Sequence, residues 1–178
     1  PGVQRANARF DMPKLDWLNF EHIRALPTDD FKSQALGQLK DAGLDAACRD
    51  ADYTAAVLAL CTDKIKNLKD IAGYIGFFFR NEVVLDPEAA AQALTGENKP
   101  HLATLREAYA GLATFDAESL MESLKATAAA REVKNKVLVM PARVACTGSK
   151  VGPSLYHLME VLGQAEVLKR FDAALARM

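Results

Sequence analysis

The residues best suited to chemistry in this sequence are the cations between positions 125 and 150. Six cations in that stretch stand against a single acid, whereas residues 81 to 122 carry two cations against eight acids. The six are Lys125, Arg131, Lys134, Lys136, Arg143 and Lys150. Such a stretch predicts an anion-binding face even though the formal net charge is -1. The alternative, ordinary solvated surface side chains, stays open.

A glycine-containing segment closes this basic stretch. Thr147-Gly148-Ser149-Lys150-Val151-Gly152 places two glycines and a lysine ahead of an expected helix. Free amides and the positive end of the helix dipole would suit a phosphate or a base edge there. The segment lacks the Walker spacing, so it does not predict a nucleoside triphosphate site. An ordinary capped turn remains the alternative.

The other titratable residues form no catalytic or metal-binding pattern. The three histidines are scattered, and Cys48, Cys61 and Cys146 show neither Cys-x-x-Cys nor Cys/His ligand spacing. We therefore expect no catalytic residue, metal or cofactor in this chain. Reduced, buried cysteines fit a cytoplasmic protein.

Length and composition limit the class of protein. The 178 residues are half apolar and a quarter charged, which predicts one or two compact units. We expect no membrane partner, because no stretch approaches the ~20 apolar residues of a membrane span. The start, Pro1-Gly2-Val3, lacks Met and a secretory signal, which favours a piece of a longer protein.

Helical periodicity dominates the chain, and it predicts an all-α fold of about ten helices. Leu102, Leu105, Tyr109 and Leu112, for example, recur at helical spacing. Helix caps are expected at Thr28, Asn67, Asp86 and Asp116. Two segments are less regular. The β-branched run 137–140 is predicted to be a buried extended connector, and the cluster 77–80 to be core, with base stacking as the alternative.

Two sets of residues resemble the bacterial-type glutamyl-tRNA synthetase family. Lys14-Leu-Asp-Trp-Leu-Asn19 followed by Ile23-Arg24 looks like the helix after the catalytic signature loop. Pro141-Ala-Arg-Val-Ala-Cys-Thr-Gly148, then Val151-Gly-Pro-Ser-Leu155 and Leu162-Gly163, is similar to the anticodon-domain pattern of that family. Lys64-Ile-Lys-Asn-Leu-Lys-Asp70 between them resembles its basic helix junction. The resemblance thus spans essentially the whole chain.

The resemblance implies a division into three parts. Residues 1–26 would end the stem-contact region as a short helical remnant. Residues 27–96 and 97–178 would form two consecutive helical anticodon-binding subdomains. The ATP-binding signatures of the family are absent from the sequence, so this chain alone should not aminoacylate. ATP and magnesium would bind in the catalytic half of the parent enzyme.

The resemblance also implies site residues. Arg143 matches the arginine that reads the last anticodon base, and Gly152, Pro153 and Leu155 match the loop and helix start that enclose the anticodon. Lys125 stands where the family often has another base-contacting arginine. Lys134, Lys136 and Lys150 would contact phosphates, which position the RNA without specifying its sequence.

One position bears on the choice of tRNA. Members that accept only glutamate tRNA commonly carry an arginine in the helix corresponding to 71–79, which we place at Gly76. The glycine predicts that glutamine tRNA is accepted as well as glutamate tRNA, by a protein expected to be a monomer. The competing interpretations are a non-enzymatic helical protein-interaction module and a stand-alone enzyme. The second would need a cluster of acids or histidines that the sequence does not show.

Overall fold

The computed structural model describes residues 11–46, 49–62 and 64–178, and in these ranges it is helical and contains no strand. The predicted all-α fold is confirmed. The helices are α1 (Met12–Ala25), α2 (Thr28–Asp41), α3 (Ala51–Ala59), α4 (Ile71–Ile75), α5 (Pro87–Ala93), α6 (Lys99–Ala110), α7 (Ala117–Ala130), α8 (Asn135–Thr147), α9 (Leu155–Leu162) and α10 (Gln164–Leu175). Two 3-10 helices, Leu68–Asp70 and Gly76–Phe79, flank α4.

The second half of the chain is a bundle of α6 to α10. In this bundle α6 packs against α7, α8 and α10, and α7 also packs against α8 and α9. The predicted stripe of α6 is the reason, because Leu102, Leu105 and Tyr109 are all fully buried. The phenol of Tyr109 donates a hydrogen bond to the Leu120 carbonyl (3.1 Å), which fixes α6 against α7.

The first half packs around α4 and the 3-10 helices beside it. Here α2 contacts α3, α4 and the turn Leu68–Asp70, while α3 reaches across to α9. One apolar core runs from Ile23 to Ala174. The predicted boundary at residue 96 lies between α5 and α6, and since the core crosses it, the division into 27–96 and 97–178 stays a prediction. The proposed first part, 1–26, is described only from residue 11.

The caps expected from sequence are mostly present. Asp86 and Asp116 accept the amides of Ala89 and Ser119, each at 2.7 Å, and Asn67 caps the turn that begins at Leu68. The cap at Thr28 was wrong. Thr28 is the first residue of α2, Pro27 takes the cap position, and no side chain caps that end.

The extended connector predicted for residues 137–140 was also wrong, because this segment lies within α8. Its β-branched residues favour a strand, and Pro141 inside the helix removes one backbone donor. Burial outweighs both preferences. Leu138, Ala142 and Ala145 are buried at helical spacing, so only a helix turns all three toward the core.

The aromatic cluster belongs to the core, as predicted. Phe77, Phe78 and Phe79 are buried, and Phe77 stacks on Phe78 with ring centroids 4.3 Å apart. The alternative that these rings stack on bases is therefore wrong. Among the described residues, no helix combines the length and the apolarity needed to cross a membrane.

Candidate nucleic-acid interface

Helix α8 gathers the candidate site residues. One face of α8 is buried against α6, α7 and α10. Lys136 and Arg143 lie seven residues apart, which is close to two helical turns, so they share a face with about 10 Å of axial rise between them. Lys136 is exposed and Arg143 is half-buried. The same face of α8 thus carries one exposed cation, Lys136, and one half-buried cation, Arg143.

Arg143 is held by the loop that follows its own helix. Its Nη1 donates to the Pro153 carbonyl at 2.7 Å. Gly152 lies beside the same nitrogen, since a Cβ added to Gly152 would be 3.6 Å from it. Burial lowers the pKa of Arg143, while the nearby phenol of Tyr74 acts in the opposite direction. The guanidinium keeps further N–H donors beyond the one that Pro153 occupies.

The loop is shaped by Thr147 and Gly148. The Thr147 hydroxyl lies 2.9 Å from the Arg143 carbonyl and accepts the Ser149 amide at 3.1 Å. Gly148 ends α8 with φ +79° and accepts a hydrogen bond from the Asp86 amide at 2.8 Å. A Cβ at Gly148 would overlap the Val84 carbonyl oxygen. Only glycine fits a helix end so close to another backbone.

Lys150 lies on the α5 side of this loop. Its ammonium donates to the Glu88 carboxylate (2.8 Å) and to the Gln92 side-chain carbonyl (3.1 Å). The hydrogen bond from Lys150 lowers the pKa of Glu88 below its ordinary value. A phosphate at Lys150 would therefore have to compete with a carboxylate.

The start of α8 is more open to an anion. Lys134 occupies the cap position, Lys136 is in the first turn, both are exposed, and that turn contains no acid. The positive end of the helix dipole adds to their charge. Lys125 is exposed on the neighbouring helix α7. Three ammonium groups thus face solvent on α7 and at the start of α8.

Arg131 is engaged within the protein. Its Nε donates to His101 Nδ1 and its Nη1 to the Thr104 hydroxyl, both at 2.9 Å. This arginine joins the end of α7 to α6. A structural role accounts for its place in the basic stretch.

Three predicted positions lie away from the surface, and one of them is Pro153, whose carbonyl accepts from Arg143. Leu155 is buried as the first residue of α9, so it anchors in the core the helix that follows the Pro153 loop. Gly76 is buried at the start of its 3-10 helix, where a Cβ would lie 2.8 Å from Leu44 Cδ1. Sequence reasoning missed Tyr74 and the loop-forming role of Thr147. The threonine before Gly148 was a usable signal, because its hydroxyl can bond the last turn of a helix.

A helical domain with a half-buried arginine framed by a loop and a basic helix start is suited to reading unstacked bases in RNA. The chain belongs to the anticodon binding domain family, which it matches over residues 26–175.

The curated proteins most similar in sequence include glutamate–tRNA ligases. The chain is 37% identical over 174 residues to glutamate–tRNA ligase 2 of Koribacter versatilis, covering 97% of this chain and 36% of that protein. It is 34% identical over 175 residues to glutamate–tRNA ligase of Elusimicrobium minutum, with the same coverage of each chain. The chain thus spans little more than a third of the length of these relatives.

Solved structures share the fold. A crystal structure of a glutamate tRNA ligase from Elizabethkingia meningosepticum, in complex with its amino acid, has a TM-score of 0.79 and 25% identity, covering 98% of this chain and 34% of that one. A glutamate-tRNA synthetase from Elizabethkingia anophelis, at 24% identity and a TM-score of 0.75, has the same fold. That comparison covers 98% of this chain and 33% of the other.

Proposed function

We propose that this chain is the anticodon-binding part of a glutamate–tRNA ligase, an enzyme that joins glutamate to its tRNA. ATP and magnesium would bind in the part of the enzyme that this chain does not match. The tRNA is the partner, and the protein acts as a monomer in the cytoplasm. Family membership and the named relatives support the assignment to a glutamate–tRNA ligase and the tRNA partner.

The observation that carries the proposal is the setting of Arg143. A half-buried guanidinium fixed by the Pro153 carbonyl costs little further ordering when it meets a base. A guanidinium can offer paired donors to a base carbonyl and ring nitrogen, and such a contact discriminates by about 1–3 kcal/mol. Gly152 leaves room beside Arg143, because glycine has no side chain to occupy the space next to the guanidinium. These features support a site that would receive one unstacked base with little rearrangement of Arg143.

Binding of glutamate tRNA tests this role directly. The wild type should bind glutamate tRNA more tightly than a tRNA with a changed last anticodon base. Arg143→Ala should remove that difference, because the base then loses its paired donors. Arg106→Ala is the matched control, since Arg106 is a bundle arginine paired with Asp172 on α10. Binding indifferent to the anticodon in the wild type would refute the proposal.

The salt dependence of binding tests the lysines. Lys125, Lys134 and Lys136 are exposed, whereas Arg131 and Lys150 are engaged within the protein. With Lys125 counted as a phosphate contact instead of a base contact, and Lys150 left out, three phosphate contacts predict a slope of log affinity on log salt of about -2, against about -4 for all six cations of the stretch. Lys134→Ala should make the slope shallower by the share of one phosphate contact, and it should leave the preference for the anticodon unchanged. A slope near -4 would contradict this division of the cations.

Acceptance of glutamine tRNA is the finer part of the proposal, and it rests on Gly76. An arginine at this position must displace Leu44 Cδ1, the flexible end of a side chain, to reach solvent. In the full-length parent, the wild type should glutamylate both tRNAs and Gly76→Arg should lose the glutamine tRNA. Gly73→Arg on exposed α4 surface controls for the added charge, since nothing lies within 4 Å of a Cβ there. If the wild-type enzyme leaves glutamine tRNA uncharged, the proposed acceptance of glutamine tRNA is refuted and the proposed binding of glutamate tRNA is not affected.

A further inference from the structure

Arg170 on α10 is the one charged side chain that is buried among the described residues, with 5% of its surface exposed. Burying a charge is costly unless every donor finds a partner. The Nε of Arg170 donates to the Glu166 carboxylate one turn earlier at 2.8 Å. A surface ion pair would need no burial, so the remaining contacts must explain why this cation lies inside.

Those contacts are the carbonyls at the ends of two other helices. Nη1 donates to the Cys146 carbonyl at 2.6 Å, and Nη2 donates to the Phe77 carbonyl at 3.1 Å and to the Arg80 carbonyl, the cap of the same helix, at 3.5 Å. Cys146 is in the last turn of α8, and Phe77 belongs to the 3-10 helix that follows α4. Carbonyls in a last helical turn lack helical partners, and the dipole gives that end a partial negative charge. Arg170 caps both ends at once.

Arg143 itself lies on α8, and Tyr74 lies on α4, directly before the Gly76–Phe79 helix. Cys146 follows Arg143 by about one turn of α8, and Phe77 follows Tyr74, whose phenol acts to raise the pKa of Arg143, by three residues. No other side chain donates to both segments in the described part of the chain. The guanidinium fork of Arg170 therefore joins the end of α8 to the helix that follows Tyr74.

We propose that Arg170 is a positioning residue that holds Arg143 in register for the anticodon base by joining the carbonyl ends of α8 and the Gly76–Phe79 helix. This inference rests on the proposed function. It assigns anticodon selectivity in part to a side chain with only 5% of its surface exposed. A role in stability alone would leave the selectivity of the folded protein unchanged.

The test compares Arg170→Lys and Arg170→Met with Tyr109→Phe. Lysine keeps the charge but replaces the planar fork by one ammonium, which cannot reproduce both carbonyl bonds in their fixed geometry. Methionine removes the donors altogether. Tyr109→Phe removes a buried hydrogen bond in the same bundle, to Leu120, and leaves in place the bonds from Arg170 to Cys146 and Phe77. It controls for lost stability.

Two readouts are needed, both on protein shown to be folded by circular dichroism. The first is the ratio of affinities for glutamate tRNA and its anticodon-altered form, expected at roughly tenfold or more in the wild type. Arg170→Lys should lower that ratio by about threefold to tenfold, because a slightly displaced arginine loses paired geometry. Tyr109→Phe should keep it.

The second readout needs no RNA. The guanidinium Nε–H resonance of Arg143, assigned with Arg143→Lys, should shift and exchange faster with water in Arg170→Lys than in Tyr109→Phe. If Arg170→Met does not fold, Arg170→Lys still decides. A wild type that ignores the anticodon overturns the proposed function and this role with it. A selective wild type with an unchanged ratio and resonance in Arg170→Lys overturns the positioning role alone.

Discussion

Gly148 offers the sharpest test of how the loop beside Arg143 is built. An alanine there must adopt φ near +79°, and its Cβ would overlap the Val84 carbonyl oxygen and lie 2.9 Å from the Val84 carbonyl carbon. The left-handed conformation costs about 1 kcal/mol. Relieving the overlap requires the Val84 segment to move, which breaks the 2.8 Å bond from the Asp86 amide to Gly148 and costs about another 1 kcal/mol. With some loss of packing, Gly148→Ala should destabilise the protein by about 3 kcal/mol.

Gly43 provides the matched control. It follows α2 with φ +73°, but nothing lies within 4 Å of a Cβ at that position. Gly43→Ala should therefore cost only the conformational part, about 1 kcal/mol. Urea unfolding followed by circular dichroism measures both variants. Equal destabilisation by the two substitutions would show that the Val84 contact adds nothing, and the reasoning about this loop would be refuted.

Two further predictions concern titratable groups. Burial raises the pKa of the Cys61 and Cys146 thiols to about 12. At pH 8 a thiol reagent should therefore alkylate neither cysteine unless urea is added, and peptide mass spectrometry measures this. Rapid labelling of the native protein would contradict their burial. Burial raises the pKa of Glu166, but hydrogen bonds and charge from Arg170 and Lys169 outweigh it and lower the pKa below 4.5. A lowered carboxyl pKa stabilises the fold above the unfolded pKa and ceases to do so as the pH falls through the folded pKa. The free energy of unfolding of wild type and Glu166→Gln should thus differ at pH 6 and converge toward pH 3, and a constant difference would contradict this coupling.

Much of the fold could be predicted because its elements depend on local signals. The α6 stripe of Leu102, Leu105 and Tyr109 and the cap at Asp86 need only neighbours along the chain. The segment 137–140 failed for the opposite reason. Its residues favour a strand locally, and only the packing of α8 against five other helices makes it helical.

The candidate site was predictable only in part. The pattern around Arg143 placed that arginine, Gly152 and Pro153 together, and the structure brings these three into contact. The pairing of Lys150 with Glu88 joins residues 62 positions apart, and the bond from Arg170 to Phe77 spans 93 positions. No spacing rule reaches such distances. The sequence shows that a residue is charged, but only its partners in the structure show whether that charge is available to bind a ligand.

This distinction explains how a chain of net charge -1 can hold a basic face. Arg106, Arg131, Lys150 and Arg170 are each satisfied by protein acceptors, so their charge serves the bundle. The acids of 81–122 contribute to this, since Glu88 neutralises Lys150 beside the loop. Charges at the start of α8 have no such acid in the first turn and lie about two helical turns from Arg143. On the proposed function, phosphates would meet the exposed Lys125, Lys134 and Lys136, and the half-buried Arg143 would select the base rather than attract the RNA.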